Sequence, residues 1–249
     1  MTFKIAVDNA KTLLDIFTVI NVVVDEATLQ LDSEGIKFCH MDPNRVAFIN
    51  SETPKSAFTE YQCTEPTKIG VNLIELIKTL KRGGASKTTL EFNAGKKLKL
   101  QFGSPYERDF TLPILTAAID TPLMPQTSYN VKASLATGTL NQAVEDAQLV
   151  GDYFIINATA ESLKFSVDGD LMQNVGTMTK TGDILLSLDV KEPCQAKYSL
   201  NYISAIIKTA AAISDTVNLE YSTNQPIKLD FHTQGKTEFW LAPRIETEE

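Results

Sequence analysis

One order of elements, strand–helix–strand–strand–strand, recurs four times along this chain, and that recurrence limits the fold more than any single motif. In the first pass, residues 3–7 alternate as a strand and Asp8 or Asn9 can cap a helix. Helical spacing of Leu13, Leu14, Ile16, Phe17 and Ile20 predicts a helix over 10–23. Strands follow at 28–31, 36–39 and 46–49, and then an irregular piece with Pro54 and Pro66. The second pass reads as strand 68–71, cap Asn72, helix 73–82 ended by Gly83-Gly84, and strands 88–92, 97–102 and 107–112. The third has strand 129–133, helix 140–149 and strands 154–156, 163–167 and 175–179. The fourth has strand 197–200, helix 202–213 and strands 216–221, 227–231 and 238–241.

Counting supports a duplication of the whole half. A shift of 129 residues lays 70–102 over 199–231 and matches Asn72 with Asn201, Ile74 with Ile203, Ile77 with Ile206, Leu90 with Leu219, and Phe102 with Phe231. A shift of 127 matches Leu13 with Leu140, Asp25 with Asp152, Glu34 with Glu161, and Phe38 with Phe165. Helices on one face of antiparallel sheets, in two related domains, make this an α+β chain. Between the halves lies 113–128, which holds Pro113, Pro122 and Pro125 and one charge, Asp120. Three prolines exclude a central strand or regular helix, since proline fixes φ and removes a backbone donor. Ile114, Leu115, Ile119, Leu123 and Met124 nevertheless need a surface to lie on. The expected domains are 1–115 and 129–249, with 116–128 as the connector.

A net charge of −8 argues against nucleic-acid binding by the whole surface, so any basic face has to be local. No apolar run approaches the roughly 20 residues that span a bilayer, and the N-terminus lacks a secretory pattern, so a soluble intracellular protein is expected. Cys39, Cys63 and Cys194 are odd in number and widely spaced, which suits free thiols better than disulfides or zinc. His40 and His232 sit in no nucleophile or metal signature. Asp168-Gly169-Asp170 resembles the opening of a calcium loop, but the ligand spacing stops there and a tight turn explains it. With no catalytic constellation, the chain is expected not to be an enzyme and to need no cofactor or metal. A two-domain hydrolase with an unrecognised site is the remote alternative.

The helices carry the more useful signal. On the second, Leu73, Leu76, Ile77 and Leu80 form a buried stripe, while Lys78, Lys81 and Arg82 share the opposite side. Lys11 and Lys208 are candidates for the same surface, against the alternative of ordinary solvated helix faces. The third helix departs, because Gln142, Glu145 and Asp146 make it acidic.

With these features in hand, the chain resembles, over essentially its whole length, a DNA sliding clamp of the proliferating cell nuclear antigen (PCNA) type. The carriers are Glu34-Gly35-Ile36, Met41-Asp42-Pro43-Asn44-Arg45-Val46, Gly70-Val71-Asn72-Leu73 with Lys78 and Lys81, Gly151-Asp152, and Leu241-Ala242-Pro243-Arg244-Ile245-Glu246. The length and the Phe239-Trp240 pair look archaeal. The resemblance implies a ring-forming processivity factor without catalytic activity, with helices on the inner face, sheets outside and duplex DNA through the hole.

It implies DNA-facing roles for Lys11, Lys78, Lys81 and Lys208, to which Arg82 is added by helical position. It also implies a pocket for short glutamine/aromatic motifs of DNA polymerase, flap endonuclease and DNA ligase, at Met41, Val46, Leu123, Met124, Pro125, Pro226, Trp240, Leu241, Ala242 and Pro243. Subunits of such clamps join by edge strands, here Phe110, Thr111, Leu112 and Ile114 against Val175, Thr177, Met178 and Lys180. The implied assembly is a homotrimer placed on DNA by a replication factor C type clamp loader, with one subunit of a heterotrimer as the alternative. The location would be cytoplasmic, with the nucleoid, for an archaeal protein and nuclear for a eukaryotic one; no membrane is involved.

Overall fold

The computed structural model describes residues 2–93, 97–115, 122–125 and 127–245. Connector residues 116–121 and 126, which include Ile119 and Asp120, and tail residues 246–249 lie outside the described residues. The chain forms two compact units. The first takes residues 1–43, 49–123 and 234–236, and the second takes 44–48, 124–233 and 237–249.

The first half of the chain supplies β1 (Thr2–Val7), α1 (Ala10–Asn21), β2 (Glu26–Leu31), β3 (Gly35–Met41), β4 (Ala47–Pro54), β5 (Glu60–Cys63), β6 (Thr67–Asn72), α2 (Leu73–Leu80), β7 (Thr88–Asn93), β8 (Lys97–Phe102) and β9 (Arg108–Pro113). One antiparallel sheet runs β5-β1-β7-β8-β9, and β6, β2, β3 and β4 lie side by side in that order. The second half supplies β10 (Val131–Ala136), α3 (Thr137–Gln148), β11 (Tyr153–Thr159), β12 (Ser162–Asp168), β13 (Gln173–Thr179), β14 (Leu185–Val190), β15 (Cys194–Ser199), α4 (Leu200–Ala210), β16 (Thr216–Tyr221), β17 (Ile227–His232) and β18 (Lys236–Leu241). Its strands repeat both arrangements, as β14-β10-β16-β17-β18 and β13-β12-β11-β15. The duplication is therefore one of sheet topology as well as of sequence.

Two strands exceed the expected pattern, β5 and β14, and they hold the same place in the two halves, each pairing with the opening strand of its half. β5 has no fully buried residue, so its sequence lacks the alternation that marks a strand. The pairing of β14 shifts register between Ser134 and Leu135, which breaks period two there.

Each unit buries its helices' apolar stripes against a sheet. Leu13, Phe17, Leu73, Leu76 and Leu80 are buried in the first, and Leu140, Val144, Ile203 and Ile207 in the second. Complete burial of such side chains contributes about 1.5–3 kcal/mol each before entropy is counted. α1 packs against α2 and α3 against α4, where Gln148 donates to Ser204 Oγ at 3.1 Å. The N-caps of the first pair are side chains: Asn9 accepts from the N–H of Lys11, and Asn72 from that of Glu75. α2 stops at Leu80, two residues before the expected end, with Lys81 as its C-cap. A Cβ on Gly83 would lie 2.4 Å from the Phe102 ring and 2.6 Å from Ala10 Cβ. Glycine there lets the end of α2 turn close over β8 and the start of α1.

The remaining expectations about unusual residues resolve locally. His40 is buried and accepts from the N–H of Thr28 at 3.0 Å, and burial holds its pKa below the usual histidine value. Gly169 donates its N–H to Met172 O at 3.0 Å in the turn between β12 and β13. Cys39, Cys63 and Cys194 are free thiols.

Candidate functional site

Three sets of residues emerge from these elements. The first is cationic. Lys11 opens α1 with an exposed side chain and pairs with Asp15 one turn later at 2.5 Å. Lys78 and Lys81 are exposed at the end of α2, and Lys78 reaches Glu75 at 3.7 Å. Exposed pairs of this kind are worth at most about 1 kcal/mol, so they leave both lysines available to phosphate. Arg82 is exposed too, but it lies beyond the helix, its N–H bonded to Thr79 O at 2.9 Å. Its expected place on a helical face is therefore corrected: the chain has already turned there. In the second unit, Lys208 is exposed in the last turn of α4, while α3 has no basic residue and exposes Gln142, Glu145, Asp146 and Gln148. The lysines thus concentrate on the first unit's helices.

The second set is apolar and centres on β18. Trp240 is only 5% exposed, stands edge-on to Phe48 at 5.2 Å between centroids, and donates its indole N–H to Tyr129 Oη at 3.1 Å. Lys228 Nζ lies 5.6 Å from the centre of the indole ring and is itself bound to Glu238 at 2.8 Å. Burial pulls the Lys228 pKa down, but the Glu238 and Glu220 carboxylates outweigh it and hold the ammonium above its usual value. Trp240 and the completely buried Leu241, expected in the pocket for partner motifs, are thus core side chains of the second unit. Val46, Pro226, Ala242 and Pro243 are half-buried, and Ala242 donates its N–H to Val46 O at 2.8 Å. Met124 is exposed and Pro125 half-buried in the second unit. In the first unit Met41 is half-buried, Leu123 is 93% exposed, and the Cys39 thiol donates to Pro122 O at 3.4 Å.

The third set is a pair of strand edges. β9 ends one sheet and β13 another, and neither has a neighbour on its outer side among the described residues. On β9, Phe110 and Thr111 are exposed and Leu112 half-buried, with Ile114 half-buried just beyond. On β13, Val175 and Thr177 are exposed, as is Lys180 beyond its end. Met178 is corrected in one respect: its side chain is buried in its own unit, so it presents only backbone at the edge. Beside β9 opens a 250 Å³ cavity lined by Val71, Leu76, Leu98, Leu112, Pro113 and Leu115, with Asn72 and Glu75 also lining it. The sequence reading missed Arg108, at the start of β9. Its guanidinium donates to Arg82 O at 3.0 Å and Ser104 O at 2.9 Å and lies over the Phe102 and Tyr106 rings. It also missed Tyr129, the acceptor for Trp240, because such partners are set by the fold alone.

Comparison with known proteins bears on the chain as a whole. The sequence model described as proliferating cell nuclear antigen, N-terminal domain, matches residues 2–108, and that for the C-terminal domain matches 123–244. A protein of Cenarchaeum symbiosum named DNA polymerase sliding clamp is 32% identical, covering 99% of this chain and 100% of the relative. A Thermococcus gammatolerans protein of the same name is 31% identical with the same coverage. The crystal structure of PCNA from Thermococcus kodakaraensis superposes with a TM-score of 0.90 at 26% identity, covering 97% of this chain and 100% of that one.

Proposed function

This chain belongs to the proliferating cell nuclear antigen family, and from that premise we propose that it is a DNA sliding clamp: a ring that encircles duplex DNA, tethers a polymerase and docks other replication and repair proteins. Its action on DNA is mechanical, and no residue is assigned a catalytic role.

The observation that carries the ring is that β9 and β13 each end a sheet with no neighbour on the outer side among the described residues. In the second unit the outer side of β18 is covered by residues 46–48, through the Ala242–Val46 hydrogen bond and the Phe48–Trp240 contact. A shift of 129 carries β9 onto β18, and a shift of 127 carries β4 onto β13. The repeat therefore assigns β13 of a second copy to the empty place beside β9. Because the two edges differ, the contact is head-to-tail, and head-to-tail contacts close into rings or run on as filaments. A closed homotrimer is the form proposed, with domains 1–115 and 129–249 joined by the connector 116–128.

Lys11, Lys78, Lys81 and Lys208 are assigned to the DNA-facing surface. Each phosphate they neutralise adds about 0.9 to the salt slope and carries no sequence information. A few such contacts hold DNA weakly, and a ring held by topology slides only if they are weak. The exposed Leu123 and Met124, with Met41, Val46, Pro125, Pro226, Ala242 and Pro243, are proposed to receive the aromatic motifs of DNA polymerase, flap endonuclease and DNA ligase. Trp240 acts as the fixed wall behind them. A replication factor C type loader opens the ring onto DNA.

The test is primer extension on a circular single-stranded template with polymerase and loader. The clamp is expected to lengthen products, and Lys81→Glu to shorten them again. Products of unchanged length with the wild-type chain overturn the assignment.

A further inference from the structure

Besides β9 and β13, four strands end a sheet without a strand on the outer side among the described residues: β5, β6, β14 and β15. Three of these edges are closed by other means. β6 is met by Leu115, whose N–H donates to Gly70 O at 2.9 Å, and β15 by Arg244, whose N–H donates to Lys197 O at 2.7 Å. β5 is only four residues long, and its Glu60 is held by Lys4 at 2.9 Å and by Gln62 at 2.8 Å. A short edge with charged side chains resists pairing. β14 is longer and contains no lysine or proline, the residues that guard such edges. Its bulge exposes apolar surface. Leu185 pairs with Leu135 and Ser187 with Ser134, so Leu186 has no partner on β10. Strict alternation would put Leu186 on the buried side with Leu188. The bulge turns it outward instead, and it is 60% exposed, with Ile184 two residues before it at 48%.

Charge selects what covers this edge. Residues 183–192 hold Asp183, Asp189 and Glu192 against a single cation, Lys191. Asp183 and Asp189 are exposed and have no cation partner among the described residues. Lys132, opposite Asp189 in the register, is bound to Glu220 at 2.9 Å. A second copy pairing antiparallel about Leu186 would set Asp183 against Asp189 at both ends, which is repulsive. We infer that β14 takes up, as an added strand, an extended segment of a partner protein with two apolar residues two apart and lysine or arginine on either side. Main-chain hydrogen bonds give such a segment its affinity, while Ile184, Leu186 and the two carboxylates give selectivity. The site lies apart from the pocket at the connector and works with or without the ring.

The probe is a short labelled peptide in which two isoleucines flank a threonine and lysines stand at both ends, titrated into the full chain by fluorescence anisotropy. A control peptide carries glutamate in place of each lysine and is expected to bind on the order of tenfold more weakly. Leu186→Ser is expected to weaken the lysine peptide about tenfold. Asp183→Lys combined with Asp189→Lys should do the same, by an amount that shrinks as salt is raised. These side chains are exposed, so thermal unfolding of the variants should match wild type. Bound peptide should also slow amide hydrogen exchange across residues 184–189. No binding of the lysine peptide, equal binding of both peptides, or binding indifferent to Leu186→Ser overturns the inference. Sedimentation that changes on Leu186→Ser gives the edge to a second copy and overturns it as well.

Discussion

β18 and β9 hold the same place in two copies of one sheet, yet the outer side of the first is covered and that of the second is open. The backbones match, and the side chains do not. Where the covered joint sets Phe48 against Trp240, the repeat puts Val175 and Thr111 at the open one. Two large aromatics, nearly devoid of solvent contact and fixed by the hydrogen bond to Tyr129, make the first joint part of a folding core. A threonine and a half-exposed valine make the second a surface that tolerates water while unpartnered. On the proposed ring, one topology thus serves as a permanent joint or a reversible one according to what fills it.

Breaking the covered joint should have the largest effect. Phe48→Ala is expected to destabilise the second unit by about 3–5 kcal/mol, read from denaturant unfolding. A loss within about 0.5 kcal/mol, as at ordinary surface sites, would remove the distinction between the joints. Its counterpart at the open edge, Val175→Asp, should leave the unfolding curve of the dissociated chain in place and still raise the assembly's dissociation constant roughly a hundredfold, since it buries an unpaired carboxylate. The smallest effect concerns a single donor. Ala242 spans the covered joint with its N–H, and its counterpart at the open edge is Pro113, which has none. Pro113→Ala restores the donor and should tighten assembly about three- to tenfold by sedimentation, the worth of one hydrogen bond. No tightening would mean that the two edges do not share a register.

Much of this was legible in the chain itself. The helices could be read because Leu13, Phe17 and Ile20, or Leu73, Leu76 and Leu80, repeat at helical spacing and face one core. Most strands could be read from alternation, and the two edges from the clamp resemblance. β5 and β14 could not, since one buries nothing completely and the other is bulged where it pairs. The end of α2 was misjudged because Lys81 and Arg82 are good helix formers, whereas the close approach of Gly83 to Phe102 is a fact of packing. Trp240 was expected in the partner pocket from the clamp resemblance, and only its neighbours Phe48 and Tyr129 show how deeply its side chain is held. Arg108 was invisible for the same reason: no sequence pattern says that a guanidinium will find carbonyls and rings.

The missing N–H of Pro113 has a mechanical consequence. A closed hoop under load parts at its weakest link, and in the ring proposed above every link inside a chain is covalently continuous while every link between chains lacks the counterpart of the Ala242–Val46 hydrogen bond. A loader that strains the proposed hoop anywhere along its circumference is therefore expected to split it between subunits and leave each subunit whole. On that proposal, proline at the end of an edge strand is a perforation that determines where the hoop tears.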